Sequence, residues 1–77
     1  MPAKIKARFW CIKGKVLEIL PNYNKDAEAC LSKAVKLEPN LIEAWNLLGH
    51  SFWKKNDLNS AKNCYSTALS LVRCFFF

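Results

Sequence analysis

The run Trp45-Asn46-Leu47-Leu48-Gly49-His50-Ser51-Phe52, with Ala61-Lys62-Asn63-Cys64-Tyr65-Ser66-Thr67-Ala68 downstream, decides the fold of this chain. Ile42, Trp45, Leu48, Gly49 and Phe52 return at helical spacing and share one face. Gly49 and Ala61 are small enough for two antiparallel helices to approach closely, and Trp45 and Tyr65 fill the wider space on either side. Between the two blocks stands Asn56-Asp57. Asn tolerates the left-handed conformation that ends a helix, and Asp can cap the next one. Glycine is the usual residue at the position of Asn56, so the turn is expected to carry slight strain.

Working outward, the same pattern occurs earlier in the chain. Trp10 matches Trp45 and Gly14 matches Gly49, each 35 residues apart. Ala27 matches Ala61, Cys30 matches Cys64 and Ala34 matches Ala68, each 34 residues apart. The slip of one residue falls between Gly14 and Ala27, where Pro21-Asn22-Tyr23-Asn24 reads as a turn, and turns tolerate insertions. Pro39 ends the first unit, because it cannot continue a helix and it pushes Glu38 out of the helical region. Four helices are predicted, at about 4–19, 25–37, 41–55 and 58–72.

A period of 34 residues is that of the tetratricopeptide repeat. The second unit resembles that family closely through Trp45, Leu48, Gly49, Phe52, Ala61, Tyr65 and Ala68. The first resembles it through Trp10, Gly14, Leu17, Ala27, Leu31, Ala34 and Pro39, with Lys13 where the pattern has leucine. The resemblance implies an all-α fold of two tandem helix-turn-helix repeats, four antiparallel helices that begin an α-solenoid. Residues 1–77 then form a single domain, with repeat one at about 5–39, repeat two at about 42–72 and an apolar tail at 73–77.

Such hairpins each carry an apolar face that they cannot bury alone, so about three are needed for independent stability. This chain has two, and 77 residues bury only about 60% of the surface that the unfolded form exposes. The run Leu69 to Phe77, ending Phe75-Phe76-Phe77, is apolar where a terminal helix would be polar. The expectation is that another surface covers it or that the chain is a shortened product of a longer gene, with the second favoured.

Charge is uneven. The net charge is +6, and Lys4, Lys6, Arg8, Lys13 and Lys15 fall in the first fifteen residues without one acid. A solvated helix face explains this, and so does contact with nucleic acid, the ribosome, an acidic protein or a membrane surface. No RNA-recognition, KH or zinc-finger signature accompanies the cations. Cys11, Cys30, Cys64 and Cys74 form no C-x-x-C pair and His50 is the only histidine, so neither a metal site nor any other cofactor is expected. Cys30 and Cys64 read as small buried hydrophobes at equivalent repeat positions. No signal peptide or apolar span of about 18 residues is read, so reduced thiols in the cytoplasm and nucleus are expected. His50 has no acid–base partner at suitable spacing and there is no phosphate loop, which argues against an enzyme and a small-molecule substrate.

In this architecture function lies in the concave groove lined by the first helix of each pair. Repeat geometry projects Arg8, Cys11, Lys15 and Glu18 from unit one, and Glu43, Asn46, His50, Trp53 and Lys54 from unit two. Of these, Arg8, Lys15, Glu43, Asn46, His50, Trp53 and Lys54 are taken as candidate contacts to a partner peptide or helix. Arg8 and Lys15 suit carboxylates, and Trp53 suits an apolar side chain or a cation. Ordinary solvent-facing residues are the alternative. The Lys-x-x-x-Asn clamp for C-terminal carboxylates found in some members of the family is replaced here by Cys11 and Lys15.

The stretch Leu31-Ser32-Lys33-Ala34-Val35-Lys36-Leu37-Glu38-Pro39, with Glu43-Ala44-Trp45-Asn46, Leu48-Gly49 and Trp53-Lys54-Lys55, goes beyond the generic repeat. Lys13-Gly14-Lys15 and Pro21-Asn22-Tyr23 fit the same segment. Together they resemble the N-terminal repeats of a tetratricopeptide subfamily in which several repeats precede an oligonucleotide-binding-fold domain. That resemblance implies a nuclear and cytoplasmic scaffold: a stress-responsive transcription cofactor that also recognises nascent tubulin at the ribosome. Lys33 and Lys36 are then candidate ribosome-facing residues, with exposed helix lysines as the bland alternative. A ribosome- or nucleic-acid-binding element built on the basic first helix is the competing reading.

Overall fold

The computed structural model describes residues 2–76, with side chains through residue 73. It contains four α-helices: α1 Ala3–Glu18, α2 Lys25–Leu37, α3 Ile42–Lys54 and α4 Leu58–Phe76. Among the described residues there is no strand. α1 pairs with α2 and α3 with α4, and α3 also packs on both helices of the first hairpin. The molecule measures 34 × 30 × 16 Å. The short dimension matches two helix layers, α1 with α3 and α2 with α4, at the usual interaxial spacing of about 8–10 Å.

Each helix end has a local cause. Asn24 caps α2, its Oδ1 accepting from the backbone N–H of Asp26 at 2.8 Å and of Ala27 at 3.3 Å. Asp26 and Glu28 then place negative charge in the first turn, against the positive end of the helix dipole. Asp57 Oδ1 accepts from Ser60 N–H at 3.3 Å, and Asn56 stands at φ 69°, the left-handed conformation expected at this turn. Glu38, before Pro39, leaves the helical region at φ −139°, ψ 88°. Trp45 Nε1 donates to the Pro39 carbonyl at 2.7 Å and ties this connection to α3.

The two hairpins differ in their turns: residues 19–24 join α1 to α2, and residues 55–57 join α3 to α4. The longer first turn absorbs the repeat's one-residue slip. α4 runs to Phe76, beyond the expected end near 72, because no Gly or Pro follows Ala68 to stop it. The expected exposure of the Phe75-Phe76-Phe77 side chains lies outside the described residues.

The core comprises Cys11, Leu31, Ala34, Val35, Ala44, Leu48 and Cys64, with Trp10, Leu41, Trp45, Leu47 and Phe52 packed on it. The glycines permit this density. A Cβ on Gly14 would lie 2.7 Å from Leu31 Cγ, and one on Gly49 would lie 3.0 Å from the Tyr65 ring and 3.2 Å from Cys64 Cβ. Gly49 therefore makes room for Tyr65 and Cys64, one turn beyond the expected partner Ala61. Cys11, Cys30 and Cys64 are buried free thiols. Burial pushes the Cys64 thiol pKa up, and pushes Cys11 up as well, with the Glu43 carboxylate adding to the rise and Lys15 opposing it. None of the helices in the described residues is long and apolar enough to cross a membrane.

Candidate protein-binding surface

The first helices of the two units, α1 and α3, lie side by side and carry all of the projected groove residues. They do not all face solvent. Glu18 is 7% exposed, and its Oε2 lies 3.2 Å from Lys54 Nζ and 3.2 Å from His50 Nδ1. Lys54 Nζ also donates to the backbone carbonyls of Glu18 at 2.8 Å and Leu20 at 2.7 Å, and the Lys54 side chain is only 10% exposed. This satisfies the ammonium with three oxygens at the exposed C-terminal end of α1, where the last carbonyls lack helical partners. Lys54 is thus a fastener between the repeats and not a free groove cation, and Glu18 is consumed with it. Glu18 Oε1 on α1 and Ser51 Oγ on α3, both buried, find no hydrogen-bond partner among the described residues.

Lys15 and Glu43, both expected to meet a ligand, meet each other at 3.0 Å with more than half of each side chain exposed. An exposed pair of this kind contributes little stability, about 0–1 kcal/mol, so a ligand carboxylate could displace Glu43 at small cost. Cys11 is buried beneath α3 and is no surface residue. Arg8 and Asn46 are exposed. Arg8 joins Lys4, Glu38, Asn40 and Leu41 around one recess, and Cys11, Ile12, Leu41 and Glu43 around a second. Lys4, Asn40, Leu41 and Ile12 were not among the predicted contacts. Leu41 belongs to the connection before α3, so helix spacing gives no signal for it.

Trp53 is 59% exposed and its ring stacks on His50 at 6.3 Å with an interplanar angle of 23°. It faces away from Arg8: Trp53 lines recesses with Leu58, Ala61, Tyr65 and Leu69 of α4 and with the turn residues Pro21 to Tyr23. The predicted groove set therefore divides into an Arg8–Lys15–Glu43–Asn46 face, a His50–Trp53 stack and the Lys54 fastener.

On α2, Lys33 Nζ stands 4.4 Å from the centre of the Trp10 ring, with Lys13 Nζ at 5.3 Å. Lys33 thus has an internal cation–π partner. Lys36 is exposed in the last turn of α2, where a cation also complements the helix dipole. Near the first turn of α2, Lys55 Nζ pairs with Glu28 at 3.2 Å and lies 5.5 Å from the Tyr23 ring centre.

Helical hairpins of this length, stacked with a shared first-helix face, define a repeat scaffold. The tetratricopeptide repeat family description matches residues 7–41 and 42–71, and the chain belongs to that family, a non-enzymatic protein-interaction scaffold type. Among curated proteins it is similar to Tetratricopeptide repeat protein 5 of Mus musculus, 53% identical over 68 residues that cover 88% of this chain and 16% of the relative. The Homo sapiens protein of that name is 52% identical over 68 residues, with the same shares of 88% and 16%. The Bos taurus protein is 52% identical over 64 residues, 83% of this chain and 14% of its own length. The chain therefore spans less than a fifth of the curated relatives it matches.

Proposed function

We propose that the α1–α3 face holds an extended acidic peptide, or one acidic edge of a helix, from a partner protein. The observation that carries this is Arg8: an exposed guanidinium, engaged in none of the ion pairs among the described residues, between two recesses that share Leu41 as apolar wall. A guanidinium presents a planar fork to a carboxylate, Lys4 adds a second charge, and Leu41 with Ile12 offers a seat for an apolar side chain. Fluorescence anisotropy with a labelled peptide of alternating acidic and leucine residues tests this. Arg8→Glu should weaken binding about 10-fold or more; unchanged binding by Arg8→Glu sinks the proposal.

The finer assignment is also a proposal: part of a stress-responsive transcription cofactor, nuclear and cytoplasmic, that recognises nascent tubulin at the ribosome. What supports it is the similarity to Tetratricopeptide repeat protein 5 over most of this chain. Exposed Lys36, which has no cation–π or ion-pair partner among the described residues, is the favoured ribosome-facing residue. A Lys36→Glu form of a full-length relative should lose ribosome co-sedimentation, and undiminished co-sedimentation removes the idea. The competing reading, a nucleic-acid-binding element on basic α1, is separated by the steepness of the salt dependence, which grows with the number of phosphates contacted and so is far greater for a stripe of cations than for the carboxylates held at Arg8 and Lys4.

A further inference from the structure

The structure contains one closed seam between repeats and one open face built to the same plan. In the closed seam α3 lies on the α1–α2 hairpin through Ala44, Leu47 and Ser51, with Lys54 at its end. The repeat register carries these positions onto Phe9, Ile12, Val16 and Ile19 of α1. Ala44 and Ser51 are 0% exposed, whereas Phe9, Ile12, Val16 and Ile19 are 54%, 62%, 59% and 78% exposed. The receiving side shows the same contrast. Leu31 and Val35 are covered at 0% and 8%, but their counterparts Tyr65 and Leu69 are 41% and 53% exposed and line an apolar recess with Trp53, Leu58 and Ala61.

We propose that copies of this chain stack head to tail, with the Phe9–Ile19 stripe of α1 seated on the α3–α4 face of the next copy as α3 is seated on α1–α2. The choice of a second copy as occupant rests on matched changes across the seam. Where the closed seam joins buried Glu18 to Lys54, the register gives Trp53 on the receiving face and Ile19 on the incoming helix. Where it joins Glu28 to Lys55, the register gives Lys62 and Leu20, and the lysine stem can lie along leucine with its charge in water. Both members of each of these two pairs are replaced together: neither leaves a carboxylate, and the one remaining ammonium, Lys62, reaches water. The third pair, Lys15–Glu43, becomes His50 and Arg8, which adds no attraction. The contact is heterologous and so grows beyond a dimer unless it closes into a ring. Its driving force is apolar, and it is opposed by a net charge of +6 per copy, so added salt strengthens it. This inference shares Ile12 and the edge of the Arg8 face with the peptide reading, but it does not depend on that reading.

Sedimentation velocity of the 77-residue chain over a concentration series, at low and high salt, tests it. The expected result is a mass that climbs past the dimer and does so at lower concentration in high salt. Val16→Glu alters only the incoming stripe and Leu69→Glu only the receiving face. Each alone should weaken association on the order of 100-fold, with circular dichroism showing an unchanged helix content. An equimolar mixture of the two variants retains one intact stripe and one intact face, so it should form a dimer and stop there. A chain that stays monomeric into the millimolar range overturns the proposal. So does association that survives either substitution, which would mark a different contact, and so does a mixture of two folded variants that fails to pair.

Discussion

The two repeats set equivalent residues in opposite surroundings. Leu31 in α2 is covered by α3 and reaches within 2.7 Å of the space a Cβ would fill on Gly14, while Tyr65, its counterpart in α4, is 41% exposed above Gly49. Glu18 is buried under Lys54, while its counterpart Trp53 stands in solvent on the other hairpin. The lesson is that a repeat's sequence supplies a face, and a neighbour decides whether that face becomes core or surface. Apolar residues on the open side bring little stability until something covers them, because the hydrophobic gain scales with the area taken from water.

Paired truncations break this comparison most sharply. Leu31→Ala should cost about 2–5 kcal/mol, a large part of the total of about 4–12 kcal/mol that a chain of this size can have. Tyr65→Ala at the equivalent position should cost less than half as much. Thermal and urea melts followed by circular dichroism, at concentrations low enough for the chain to be monomeric, measure both, and equal losses there would mean that the second face is covered within the monomer.

The ionic fastener comes next in size. Lys54→Met leaves the Glu18 carboxylate buried with only His50 beside it and should destabilise by about 3 kcal/mol. The double change Glu18→Leu with Lys54→Met makes this seam apolar, as the register makes the other, and should recover most of the loss. A double variant as unstable as the single one would show that the polar contacts to the Glu18 and Leu20 carbonyls matter more than the charge pair.

Smaller effects sharpen the turns and the thiols. Asn56→Gly relieves the left-handed backbone of the short second turn and should stabilise by about 0.5 kcal/mol, read as a shift of the urea midpoint. Cys11 and Cys64 are held above the ordinary thiol value of 9.0 by burial, and so they remain neutral in the fold where the unfolded chain ionises. A raised folded pKa favours the fold below the unfolded value and loses that contribution as pH climbs through the folded one. Stability should therefore fall above about pH 9, and alkylation at pH 8 should be slower at both cysteines than in urea.

Much of the fold was readable because its determinants are local. Trp45 with Gly49 and Phe52 fixes a helix face, Asn56-Asp57 a turn and Pro39 a stop, each through residues within one or two turns of each other. The far end of α4 was less readable, since absence of a breaker is a weaker signal than a breaker. The binding face was legible only in outline. Repeat register identified Arg8 and Asn46 as exposed on the first helices, but it also nominated Lys54, which the structure folds onto Glu18. A lysine stem spans several ångströms, and its end goes to the best oxygen within reach, whichever element supplies it. The same holds for Lys15, which reaches Glu43, and for Lys33, which reaches Trp10.

By itself the sequence determined the two hairpins, their equivalence and the residues that lie on each helix face. Periodicity, turn chemistry and small-residue spacing act within a single hairpin and need nothing from outside it. Only the tertiary structure decided which faces close and which cations are spent, turning Glu18 and Lys54 into a fastener while leaving Arg8, Trp53 and the Phe9–Ile19 stripe open. The reason is that burial and ion pairing depend on what lies across a gap of a few ångströms, and two residues 36 positions apart, such as Glu18 and Lys54, acquire that proximity only when the repeats stack.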